Sequence, residues 1–431
     1  MTFNINGGTI DNASGAAITL TGNHPTNINA DFTFGGTKVL NLGTSAVTLG
    51  TAAGTTRTLT TNGSATLTVG GVISNGTTAN SITKTGIGTL AFTGASSYTG
   101  GTAIQNGTLK VGIANALPTG TTLTLGSTGN SAILDLGSGA SSFNQQVAGL
   151  TTAGTAASQT ITNSSSGTGT ATLTVNNDAA TSNADFTFGG IIQDGSTAKV
   201  ALTKSGSKAL TLSGSNTYTG PTNVTGGTLA VSGSISGTAS VSVTSGTLLL
   251  SARGAVNPAA GVTLGDSVGS TSGGLTLANS LSSTSDTLAS PAESFGNLTL
   301  SYNSTLDFGT GSGDWLNFAG VGSHITGATL TISNWSGAAY AAGDTSSDRL
   351  IFSGSDTSAF TNAYAQADVS FNGVSGYAAI QFDASHFEIV AIPEPSSTAL
   401  LSSIGLLGLI GYRERRRVGR MVNGMVTPAA K

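Results

Sequence analysis

Short runs of alternating apolar and polar residues recur along the chain, as at Leu90 and Phe92, Leu109 and Val111, Leu123 and Leu125, and Leu134 and Leu136. Each run is closed by Gly, Asn or Ser. A period of two sends successive side chains to opposite faces of an extended strand, so one face of each run is set for burial and the other for solvent. Runs of four or five residues bury too little surface to stand alone. The pattern therefore predicts strands that gain their stability by stacking on counterparts in neighbouring units.

The order of these runs repeats. Ile82-Thr83-Lys84-Thr85-Gly86, Tyr98-Thr99-Gly100-Gly101-Thr102 and Asn106-Gly107-Thr108-Leu109-Lys110-Val111 are answered 120 residues later by Leu202-Thr203-Lys204-Ser205-Gly206, Tyr218-Thr219-Gly220-Pro221-Thr222 and Gly226-Gly227-Thr228-Leu229-Ala230-Val231. Upstream, Gly70-Gly71-Val72-Ile73 corresponds to Gly189-Gly190-Ile191-Ile192, and the string Asn-Ala-Asp-Phe-Thr-Phe-Gly-Gly occurs at 29–36 and 183–190. The expected fold is all-β: a parallel β-helix, or β-solenoid, of roughly 20 residues per coil and on the order of 90 Å long. The two copies should occupy equivalent coils with Leu90, Leu109, Leu210 and Leu229 pointing inward. Asn and Thr at matching positions should stack as hydrogen-bonded ladders. A set of β-sandwiches is the competing architecture, but it carries strands at 8–12-residue spacing without such long-range self-similarity.

In these segments the chain resembles the autotransporter-associated β-strand repeat family, whose units read Gly-x-Gly-Thr-Leu-x-Leu-x-Gly-x-Asn-Thr-Tyr-Thr-Gly-x-Thr followed by Gly-Thr-Leu. Lys208-Ala209-Leu210-Thr211-Leu212-Ser213-Gly214-Ser215-Asn216-Thr217-Tyr218-Thr219-Gly220 carries one copy of that pattern. Gly86-Ile87-Gly88-Thr89-Leu90 through Ser97-Tyr98-Thr99-Gly100 carries another, with Ser96-Ser97 in place of Asn-Thr. The resemblance implies an exported parallel β-helix and no particular activity.

Composition agrees with strands and tight turns. Of 431 residues 63 are glycine and only 8 proline, while 8% are charged and 38% hydrophobic, which excludes collagen-like, polyelectrolyte and typical disordered chains. Residues 1–392 hold nine of the fifteen Lys and Arg but seventeen of the nineteen Asp and Glu, a net −8, and the tail holds six basic and two acidic residues, a net +4. An acidic body without clustered Lys and Arg offers nucleic acid no counterion-release surface, so no nucleic-acid partner is expected. With no cysteine, disulfides and thiolate chemistry are excluded. Met1-Thr2-Phe3-Asn4-Ile5-Asn6-Gly7-Gly8 lacks the basic and apolar regions of a secretory signal peptide, which reads as a start assigned downstream of the true one.

Four segments are expected: solenoid repeats over 1–296, terminal coils and a cap over 297–391, a sorting signal with a single C-terminal transmembrane helix over 392–417, and a cytoplasmic tail over 418–431. The cap region has its own texture, with both tryptophans, Trp315 and Trp335, and a denser set of acids. A cap is needed because an open stack end is an unpaired sheet edge. In the sorting segment Pro393, Glu394 and Pro395 precede an apolar run ending near Ile410, followed by Tyr412, Arg413, Arg415, Arg416 and Arg417. This order resembles the PEP-CTERM sorting signal. The resemblance implies an exosortase-type membrane protease as partner, the sorting motif at Pro393–Pro395, and passage through the inner membrane to the surface or extracellular matrix of a Gram-negative-type bacterium. It also brings in an extracellular polysaccharide as partner. Ser396 to Tyr412 would span about 25 Å as a helix, the short end of a bilayer, and the arginines would anchor the cytoplasmic side.

No catalytic, cofactor-binding or metal-ligating constellation is expected. His24, His324 and His386 share no metal-ligand spacing, and the acids are scattered singly. Asp344-Thr345-Ser346-Ser347-Asp348-Arg349 reads as a loop before a strand, and Tyr98 and Tyr218, at equivalent repeat positions, read as packing or turn residues. The function expected is a structural or adhesive surface protein, not an enzyme. The alternatives are a polysaccharide-active lyase or hydrolase on the same scaffold, which would need a clustered acid-base groove, and a self-transporting passenger, which would need a C-terminal membrane barrel.

Overall fold

The computed structural model describes residues 2–50, 56–154, 158–178, 184–278, 281, 286–337 and 347–392. The expected sorting segment and transmembrane helix, with Pro393, Glu394, Pro395, Arg413, Arg415, Arg416 and Arg417, lie outside these residues. Among the described residues no helix is long and apolar enough to cross a membrane.

Nearly every element is a short strand paired in parallel with the strand one rung earlier and one rung later. Parallel sheets of four, seven and eight strands build the first part of the stack, and sheets of eleven and nine strands continue it. The result is all-β and β-helix-like. Within the repeats the rung length matches the expected twenty: Ile82 lies beside Thr102 and Leu202 beside Thr222. Elsewhere a uniform coil is overturned, because the offset runs from 19 residues, Thr222 beside Val241, to 39, Leu330 beside Val369. The extra residues go into corners, as in the antiparallel hairpin of Gly137–Ser138 and Ser141–Ser142. A longer connection adds little closure entropy and leaves the ladder intact.

Inward positions form continuous columns. Leu67, Leu90, Leu109, Leu134 and Ile161 stack in the eight-stranded sheet, each fully buried. Leu210, Leu229, Leu248, Leu275, Leu306, Ile332 and Phe371 stack buried in the nine-stranded one, with the partly buried Phe186 at the start of the column. Burying each such side chain contributes about 1.5–3 kcal/mol. Outward positions carry the ladders: Asn27 Nδ2 donates to Asn4 Oδ1 at 2.9 Å, Asn29 Nδ2 to Asn6 Oδ1 at 2.8 Å, and the Thr60 and Thr85 hydroxyls meet at 2.7 Å. Glycine is required where corners of successive rungs touch. A Cβ on Gly214 would overlap the carbonyl oxygen of Gly190, and one on Gly233 that of Gly214.

All four leucines named above point inward, but the two repeat copies do not share a sheet. Ser81–Thr85 belongs to the seven-stranded sheet and Lys199–Ser205 to the eleven-stranded one. The last strand of the seven-stranded sheet, Gly149–Thr152, packs on Phe186–Phe188, which pairs with Ala209–Leu212. Copy one's first strand thus shares a column with copy two's second strand. The 120-residue period falls one strand short of a whole number of rungs, so equal sequence does not mean equal position around the stack.

The expected boundary at 296/297 falls inside the strand Glu293–Leu300. In the eleven-stranded sheet parallel pairing continues to Arg349–Ser353, which then pairs antiparallel with His386–Ala391, itself antiparallel to Tyr377–Gln381. Phe295, Phe318, Phe352 and Phe387 form a stacked column through this junction, with centroids 5.2, 5.3 and 5.6 Å apart. The helix Ser358–Ala363 sets Phe360 against Phe352 at 5.1 Å. The reversal makes Tyr377–Gln381 the terminal strand of the eleven-stranded sheet.

Candidate functional site

Two constructions distinguish this stack from a plain apolar one. The first belongs to the repeat. On Ser81–Thr85 the alternation puts Lys84 inward, between Leu59 and Ile104 of the adjacent rungs. Lys84 is fully buried, and its ammonium donates to the carbonyls of Thr85 at 2.8 Å, Gly86 at 2.7 Å and Asn106 at 2.9 Å. Lys204 repeats this cage, donating to Ser205 at 2.6 Å, Gly206 at 3.0 Å and Gly226 at 3.1 Å. The third carbonyl in each set comes from the following rung, so each lysine staples two rungs together. Burial pulls both groups down to about 8, with Asp185 opposing the shift at Lys204. Three acceptors for three N–H bonds still match the protonated form at neutral pH.

The same units hold a hydroxyl pair. The phenol of Tyr98 meets the Thr102 hydroxyl at 2.5 Å and that of Tyr218 meets Thr222 at 2.7 Å, both tyrosines being fully buried and their ionisation driven up by that burial. Thr222 also meets Thr238 at 2.9 Å. These tyrosines therefore close the corner between two strands and contact no open surface. The sequence marked Lys84 and Lys204 only as matching letters. An inward-phase lysine followed by Gly two residues later is the signal that could have found the cage.

The second construction is a buried charged cluster near the place where the parallel strand Arg349–Ser353 meets the antiparallel strand His386–Ala391. Arg253 pairs with Asp286 Oδ1 and donates to Leu281 O at 3.1 Å, while Asp286 Oδ2 accepts from the Trp315 amide at 3.1 Å. Asp348 Oδ1 accepts from the Asp314 amide at 3.1 Å and its Oδ2 from the Ser336 amide at 2.8 Å. Glu293 takes the amides of Ala255 at 2.7 Å, Val256 at 3.2 Å and Ser294 at 3.1 Å, yet burial still pushes it up to about 8. The Arg349 guanidinium pairs with Glu388 and lies 4.9 Å from the Trp315 ring centroid and 5.5 Å from that of Phe382. Sequence reading left these acids apart because they lie tens of residues from one another and only the stacking of rungs assembles them. Asp348 lies in loop immediately before the strand that Arg349 opens, and Asp344 lies outside the described residues.

The histidines sit in different settings. His24 lines an apolar groove beside Phe3, Ile10 and Leu40. His324 meets Ala328 O at 2.8 Å and lies against the Tyr364 ring, and His386 meets Asp383 at 2.9 Å. Among the described residues no group of three or more His, Asp or Glu is arranged to hold a metal ion.

The model of the passenger-associated transport repeat matches residues 82–111 and 202–231, the two segments that carry the lysine cages. By these copies the chain is similar to repeat-containing proteins associated with transport and with the surface of Gram-negative bacteria. No curated protein matches the chain, and no solved structure does.

Proposed function

We propose that the parallel sheets close into a β-solenoid that serves as the rod of a structural or adhesive protein, exported to the cell surface or extracellular matrix. In this reading a PEP-CTERM-type segment directs the chain through the inner membrane to an exosortase-type protease. That protease reads Pro393-Glu394-Pro395 as extended chain outside the bilayer, and Arg413, Arg415, Arg416 and Arg417 hold the cytoplasmic side. An extracellular polysaccharide is the partner this route brings within reach. The observation that carries the reading is the pair of lysine-stapled transport repeats built into one parallel stack. Support for a non-catalytic body comes from the cluster at the cap, where Asp286, Asp314 and Asp348 are at most 1% exposed and so cannot reach a glycan.

The test is surface proteolysis of intact cells followed by mass spectrometry of the protein's C-terminal peptides, in hosts with and without an exosortase. The body should be cleaved from outside in the first host, and peptides spanning Arg413–Arg417 should be missing from the mature protein. Substituting Pro393 and Pro395 by alanine should keep them attached, because the helix can then extend through the motif. A body protected in intact cells, or an intact basic tail on most mature molecules, would sink this reading.

A further inference from the structure

Asp314 immediately precedes the strand Trp315–His324 and is fully buried, yet neither of its carboxyl oxygens has a hydrogen-bond partner. Two other carboxylates face it, Asp286 from the preceding rung and Asp348 from the following one. Both are already committed, Asp286 to Arg253 and the Trp315 amide, Asp348 to the amides of Asp314 and Ser336. Arg253 is the cation acting on Asp314. The Arg349 amide donates to the Asp314 carbonyl at 2.9 Å, but its guanidinium serves Glu388, Trp315 and Phe382. Arg253 is thus shared between Asp286, which it pairs with directly, and Asp314, and the carboxyl without hydrogen bonds is the one whose charge would be uncompensated.

We propose that Asp314 is a proton-held latch between the last parallel rungs and the cap: its neutral carboxylic acid seats the start of Trp315–His324 beside Arg349–Ser353, and its ionisation loosens that junction. The electrostatics run the same way. Burial, then Asp348 and Asp286, push Asp314 up to about 7 against the pull of Arg253, and burial also raises Asp348. A carboxyl whose folded value lies above its unfolded 3.8 binds more protons folded than unfolded. Stability is therefore lost as pH rises from about 4 to about 7 and stays low above that. Burial takes the ionised carboxylate out of bulk solvent where the protein offers it no hydrogen-bond donor, which is why the effect concentrates at this junction.

The experiment is hydrogen exchange of the full chain at pH 5 and pH 8, corrected for intrinsic rates and read in peptides covering 305–337 and 347–356. The wild-type protein should lose protection there by on the order of tenfold to a hundredfold at pH 8. Asp314→Asn and Asp314→Leu should remove most of that change, while Glu293→Gln leaves it in place. An infrared titration of the wild-type chain should also show protonated-carboxyl absorption lost near pH 7, and Asp314→Asn should remove that component while leaving the one from Glu293, which burial holds up to about 8. Wild-type protection that does not depend on pH, or a dependence that persists in both Asp314 variants, overturns the proposal. So does calcium restoring wild-type protection at pH 8 without affecting the variants, since the site would then hold a cation in place of a proton.

Discussion

Arg349 Nη1 donates to Glu388 Oε2 at 2.7 Å across the antiparallel pairing of Arg349–Ser353 with His386–Ala391. Both side chains are buried, and the guanidinium is flanked by Trp315 and Phe382. The pair joins the last parallel-paired strand of the eleven-stranded sheet to the antiparallel strand beside it.

Removing one partner strands the other charge in a dry interior. Arg349→Met is expected to lower stability by about 3–5 kcal/mol, and Arg349→Met with Glu388→Leu to recover much of the loss. Urea unfolding of the two variants and the wild type checks this. A double variant no better than Arg349→Met would show that the aromatic packing of the guanidinium matters more than its charge.

Lys84→Met and Lys204→Met leave three carbonyls apiece without a donor, and each is expected to cost about 1–3 kcal/mol. The pH profile identifies the cause. Because burial depresses both lysines to about 8, the fold disfavours their protonation, so their contribution should rise as pH climbs from about 8 toward the unfolded 10.5. Denaturation midpoints at pH 7.5 and 10 should show that rise in the wild type and a smaller one in each variant.

The two tyrosines are predicted to be unequal. Tyr98→Phe leaves the buried Thr102 hydroxyl without its phenol, whereas Tyr218→Phe leaves Thr222 still bonded to Thr238. Tyr98→Phe should cost about 1 kcal/mol or more and Tyr218→Phe less. Having no shared partners, the two effects should add within about 0.5 kcal/mol in the double variant. Thermal unfolding of the three variants measures both.

Leu210 sits in its column between Phe186 and Leu229. Leu210→Ala should cost about 2–5 kcal/mol, and Leu210→Asp should open the neighbouring rungs as well as its own. Limited proteolysis read by mass spectrometry should find new cuts in Phe186–Phe188 and Thr228–Val231. Cleavage confined to Ala209–Leu212 would show that the rungs are energetically independent.

The sequence by itself determined that this protein is built of short stacked strands, which residues point inward, and where the repeated unit lies. Those properties are local or periodic: alternation fixes the face of Leu90 and Leu210, and self-similarity fixes their equivalence. Only the tertiary structure decided how far the chain turns per rung, because corner insertions of different length change the count without changing the strands. That turn moves Lys199–Ser205 onto a different sheet from Ser81–Thr85. It also gathers Asp286, Asp314 and Asp348 from three rungs into one buried cluster. A carboxylate's charge depends on the water and counter-charges around it, and here those neighbours are supplied by stacking and are remote in the chain.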